Sequence, residues 1–67
     1  MFNKEYIHRN SIVLYGKMKR MYHYTFDELQ RLVNLESTEL CLALIQLLQE
    51  ENISQEKELK GICYVAI

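Results

Sequence analysis

The stretch from Thr38 to Glu51 constrains the fold more than any other part of this sequence. Leu40, Cys41, Leu42, Ala43, Leu44, Ile45, Leu47 and Leu48 fall within it, and no glycine or proline interrupts a helix there. A chain of 67 residues buries only about 60% of the surface its unfolded form exposes, so a segment this apolar has to supply the centre of the structure. The spacing predicts an inward face of Leu40, Cys41, Leu44, Ile45, Leu47 and Leu48. The outer face then carries Glu39, Leu42, Ala43, Gln46, Gln49 and Glu50.

The remaining elements are arranged around that helix. Ile7, Ser11, Leu14, Met18 and Met21 recur at alternating steps of four and three, which predicts a first helix with one buried stripe. Gly16 lies off the stripe, where it either weakens the helix or lets another backbone approach. In Tyr24-Thr25-Phe26-Asp27-Glu28-Leu29, Thr25 is placed to cap a second helix, Glu28 to complete a capping box, and Tyr24 to staple onto Leu29. Phe26, Leu29, Leu32 and Val33 point inward from that helix, and Asn34-Leu35-Glu36-Ser37 forms the turn before the third. Residues Ile53 to Lys57 and Ile62 to Ile67 are β-prone runs joined by Glu58-Leu59-Lys60-Gly61, which reads as a hairpin. The fold class expected is α+β, mainly α: a winged helix-turn-helix with a three-helix core and a C-terminal β-hairpin wing. With no proline, two glycines and no repeat, residues 1–67 read as a single domain.

Cys41 and Cys63 sit inside apolar runs and are expected to be buried, reduced thiols. No CxxC occurs, and His8 and His23 stand at no zinc-ligand spacing to either thiol, so no metal or other cofactor is expected. Met1 to Arg9 is too polar for the core of a signal peptide, and the run Leu40 to Ile45 is far shorter than the approximately 20 residues that span a bilayer. The expected compartment is the cytoplasm, with no membrane partner.

The sequence resembles a family of small stand-alone bacterial winged helix-turn-helix proteins whose function is largely uncharacterised. The likeness rests on Ile7, Ser11, Leu14, Tyr15 and Met18, on Thr25-Phe26-Asp27-Glu28-Leu29, and on Thr38-Glu39-Leu40-Cys41-Leu42-Ala43-Leu44 with Leu47-Leu48 and Glu51-Asn52-Ile53 behind it. That family tends to carry tryptophan where Tyr15 stands, a change the same pocket could absorb. It also prefers a short hydroxyl or Asp where Glu36 stands, so Ser37 is expected to supply the cap one residue later. The resemblance implies a fold and leaves the function open.

No nucleophile, base and orienting group are visible at a shared site, and neither a GxGxxG nor a GKS/T loop is present to hold phosphates or a small-molecule substrate. Cys41 with His23, or Glu50 with Glu51, comes nearest to catalytic chemistry. The first pairs a thiol on a core face, and the second pairs neighbours that point in different directions. The chain therefore reads as a binding module and not an enzyme. Its partner is the open question, because a DNA-reading helix needs cations for phosphate contacts. Glu36 to Glu51 holds Glu36, Glu39, Glu50 and Glu51 and no Lys or Arg. Residues 1–31 carry six basic and three acidic side chains, a net of +3, and residues 32–67 carry two and six, a net of −4.

The candidate contacts for DNA or an acidic partner are Lys17, Lys19, Arg20, Arg31, Gln46, Lys57 and Lys60. Lys17, Lys19 and Arg20 are expected to cluster late in the first helix. The leading expectation is a DNA-binding, transcription-regulator-like module. The alternative is a protein-interaction or dimerisation module that has lost the basic reading surface, with Leu42, Ala43 and Leu59 as its candidate interface. The apolar strand Ile62 to Ile67 offers a further possibility, pairing its free edge with another sheet. Tyr6, Tyr15, Tyr22, Tyr24 and Tyr64 are expected at the core and its rim, Met18 and Met21 in the core, and His8 and His23 as ordinary surface residues.

Overall fold

In the computed structural model, which describes residues 3–67, the chain runs α1 (Lys4–Lys17), β1 (His23–Thr25), α2 (Phe26–Val33), α3 (Ser37–Gln49), β2 (Ile53–Glu58) and β3 (Gly61–Ala66). The architecture is α+β: three helices and a three-stranded antiparallel sheet in the order β1-β3-β2. No helix among the described residues is long and apolar enough to cross a membrane.

Local chemistry sets most of the boundaries. Asn3 caps α1 by accepting the Tyr6 N–H at 2.8 Å. The helix stops at Lys17, a turn short of the predicted stripe, so Ser11, Leu14 and Met18 are buried while Met21 is 71% exposed. The cause is backbone pairing: Met21 N–H donates to Ala66 O at 3.2 Å and Arg20 bridges Ala66, which holds this stretch against the end of β3. A Cβ added at Gly16 would meet nothing within 4 Å, so that glycine serves no close approach and only weakens α1.

At α2 the predicted capping box is present. Thr25 Oγ1 accepts the Glu28 N–H at 3.2 Å, and Glu28 Oε1 accepts the Thr25 N–H at 2.9 Å. Asn34 closes the helix in the left-handed region, φ 55°, which an asparagine adopts at low cost. The cap of α3 is Glu36, whose N–H donates to Glu39 Oε1 at 3.0 Å. Ser37, expected there from the sequence, is instead the first helical residue, and its hydroxyl accepts from Gln30 Nε2 at 3.2 Å. At the far end Glu51 is left-handed, φ 60°, so that its N–H reaches Leu48 O and the Asn52 N–H reaches Leu47 O, a Schellman termination without the usual glycine.

The buried face of α3 consists of Leu40, Ala43, Leu44 and Leu47, at steps of three, one and three. This corrects three expectations: Ala43 is fully buried, Ile45 is 49% exposed, and Cys41 is exposed. Ala43 therefore belongs to the core and offers nothing to a partner. α1 and α3 share the most extensive helix–helix contact among the described residues, and a fully buried position such as Ala43 leaves no room for a larger side chain.

The strand β1 was not anticipated. It places β3 at the centre of the sheet, pairing His23–Thr25 with Val65–Cys63 on one side and β2 with β3 from Ile53↔Ala66 to Glu58↔Gly61 on the other. The apolar strand consequently has no free edge along most of its length, and the expectation that it could add to another sheet does not hold. Neither Leu59 nor Lys60 has a positive φ, so the hairpin is not closed by a mirror-image turn. Gly61, φ 115°, takes up the twist instead.

Alternation along the strands divides the sheet into two faces. Tyr24, Ile53, Tyr64 and Ala66 point toward the helices and join the core of Leu14, Met18, Leu29, Leu40 and Leu47. His23, Glu56, Glu58, Cys63 and Val65 point to the opposite face.

Candidate functional site

Two surfaces carry chemistry, one on α3 and one on the outer face of the sheet. With Leu40, Ala43, Leu44 and Leu47 turned inward, the helical period puts Thr38, Cys41, Leu42, Ile45 and Gln49 on the outward side. Thr38, Cys41, Ile45 and Gln49 are exposed and Leu42 is half-buried. This stripe holds no charge. Burial raises the Tyr64 hydroxyl above its ordinary pKa, and Cys41 adds to the effect. Acidic residues frame the stripe: Glu36 and Glu39 at the first turn, Glu50 and Glu51 at the last.

The first turn of α3 is tied to α1 by a hydrogen bond from the Tyr6 hydroxyl to Glu39. That bond, together with the Glu36 N–H, lowers the pKa of Glu39, and the same carboxylate raises that of Tyr6. Glu39 is therefore an anion fixed at the edge of the stripe. Gln46 is turned aside, its amide donating to Glu50 Oε2 at 2.8 Å beside a cleft lined by Lys4, Glu5 and His8 of α1. Gln49 remains the exposed glutamine on the outward side.

The basic candidates are dispersed. Lys17 ends α1, whereas Lys19 and Arg20 lie on the connection to β1 and not in the helix, where Lys19 N–H donates to the Tyr24 hydroxyl at 2.8 Å. Arg20 sits by Ala66, at the end of the sheet opposite the hairpin turn that carries Lys60. Arg31 opens on a cleft shared with Asp27 and Glu36. Lys60 Nζ reaches the His23 carbonyl at 3.5 Å and acts electrostatically on Glu28 and Glu58. Lys57 is exposed on β2, one pair from the turn. Leu59 is fully exposed at the tip of that turn. Acids thus stand among the cations of the clefts and the hairpin.

On the outer face of the sheet, His23 Nδ1 is hydrogen-bonded to Glu58 and lies 3.7 Å from Glu56 Oε1. The histidine holds the Glu58 carboxyl below its ordinary pKa. Cys63, opposite Glu56 in the ladder, is buried, with its Sγ 3.5 Å from Glu58 Oε1. Burial and that carboxylate together raise the thiol pKa and keep the proton on sulfur. His23, expected from the sequence as an ordinary surface residue, is partly exposed and joined to two carboxylates. The signal that could have found the group is the i, i+2 spacing of Glu56 and Glu58 on a strand, which puts both carboxylates on one face. Cys41 and His23, considered together as a catalytic pair, lie on opposite sides of the sheet.

No protein-family model, curated protein or solved structure matches this chain.

Proposed function

We propose that this protein is a non-enzymatic winged helix-turn-helix module that binds another protein through the outward stripe of α3. The element order supports the winged-helix reading: a helix, a short strand, two helices joined by a tight turn, and a hairpin follow the order of such folds, with α3 as the counterpart of their recognition helix. The observation that carries the choice of partner is the stripe itself. Thr38, Cys41, Leu42, Ile45 and Gln49 present an uncharged, partly apolar surface, framed by Glu36, Glu39, Glu50 and Glu51 with no cation in the helix. A DNA backbone would meet four carboxylates there and no cation. A protein surface with an apolar centre and a basic rim matches both the centre and the frame.

Anisotropy titrations at low salt test this reading against two labelled probes, a mixed-sequence DNA duplex and a helical peptide of leucines and lysines. The peptide is expected to bind and the duplex not to. Ile45→Asp should weaken the peptide complex at least about tenfold, although an added negative charge would strengthen purely ionic binding to lysines. Micromolar duplex binding that falls with salt, or peptide binding unaltered in Ile45→Asp, would overturn the proposal.

A further inference from the structure

The group on the outer face of the sheet draws its residues from both edge strands. Glu56 and Glu58 share a face of β2, and His23 approaches across β3 from β1, so that one donor atom from each lies within 4.8 Å of the others. Both carboxylates converge on the same ring nitrogen. Nδ1 is hydrogen-bonded to Glu58, and Glu56 Oε1 stands 3.7 Å from the same atom. Two carboxylates are therefore gathered about one nitrogen.

We propose that His23, Glu56 and Glu58 form a binding site for a divalent transition-metal ion of the zinc class, tying β1 to the hairpin. An ion with bonds of about 2.0 to 2.1 Å in tetrahedral geometry spaces its donors roughly 3.4 Å apart. The 3.7 Å between Nδ1 and Glu56 Oε1 is close to that spacing, and the hydrogen-bonded His23–Glu58 pair has to part. One imidazole with two carboxylates suits zinc, whereas calcium and magnesium favour all-oxygen sets. The three side chains are 39%, 49% and 30% exposed, which leaves an entry path and room for a water as fourth ligand. Cys63 supports the arrangement: its thiol donates to Glu58 Oε1 at 3.5 Å and orients the carboxylate.

The test uses chelator-treated full-length protein in a Cys41→Ser background, so that the exposed thiol cannot supply the signal. Zinc chloride is titrated by calorimetry, and thermal unfolding is followed with and without the metal. Saturable binding at one ion per chain with a raised midpoint is expected. Glu58→Gln and Glu56→Gln should each weaken it at least about tenfold while the metal-free circular dichroism spectrum stays that of the parent. Glu56 is the more exposed of the two, so its variant keeps the test usable if Glu58→Gln does not fold. Absence of saturable binding, or affinity in both variants equal to that of the parent, would overturn the proposal. The site faces away from α3, so zinc binding and peptide binding succeed or fail independently.

Discussion

Exchanging side chains at two neighbouring positions of α3 tests the orientation on which the binding surface depends. Ala43 is fully buried, and Ile45, half a turn further round the helix, is 49% exposed. Ala43→Leu forces three extra carbons into a packed contact, which costs about 1 to 3 kcal/mol. Full burial of an isoleucine is worth about 1.5 to 3 kcal/mol. Ile45 withdraws roughly half its surface from water, so Ile45→Ala loses about 1 kcal/mol on the same scale. The better helix propensity of alanine returns a few tenths of that.

The apolar-to-larger change should thus destabilise more than the large-to-small one, the reverse of the order expected if Ile45 were a core residue. In that case Ile45→Ala would cost about 2 to 5 kcal/mol. Urea unfolding of the two variants followed by circular dichroism measures the difference. The thermal midpoint offers a second readout, because 1 kcal/mol moves it by about 4 to 8 °C in a domain of this size. A loss above about 2 kcal/mol for Ile45→Ala, with Ala43→Leu near neutral, would refute the orientation of α3 and the surface built on it.

Two further outcomes follow from the hydrogen bonds at the helix ends. Thr25→Ala removes the acceptor of the Glu28 N–H and should cost about 1 kcal/mol in the same urea assay, whereas Thr25→Ser, which keeps the oxygen, should recover most of it. The Tyr6–Glu39 bond predicts pH dependence at both extremes. The folded pKa of Glu39 is lowered, so its contribution is present above about pH 4.3 and is lost as pH falls through the folded value. The folded pKa of Tyr6 is raised, so its contribution is present below about pH 10 and is lost as pH climbs through the folded value. Unfolding midpoints across pH should show Tyr6→Phe flattening both limbs. A variant profile parallel to that of the parent would count against the bond.

What was legible in the sequence was local. Thr25 and Glu28 lie three residues apart, and their capping box needs no distant partner to form. The same holds for the hairpin, where β-prone runs flank a four-residue turn ending in glycine, and for the existence of three helices. The cap of α3 was displaced by one residue because Glu39 can reach back to the Glu36 N–H, leaving Ser37 free to bond Gln30 across the turn.

Tertiary structure decided everything that depended on direction. Leu40 to Leu48 is apolar on nearly every side, so no periodicity within α3 could say which residues face inward. Packing of the folded chain turned Leu40, Ala43, Leu44 and Leu47 inward and left Cys41 and Ile45 outside. The three residues of β1 are too few to show alternation, and their partner β3 lies some forty positions later in the chain. The pairing of β1 with β3 brings His23 to Glu56 and Glu58, more than thirty residues away, and buries the edge that the final strand would otherwise have offered. Caps and turns are written by neighbours in sequence, whereas the facing of a uniformly apolar helix and the company of a lone histidine are set by distant segments that meet only when the chain closes.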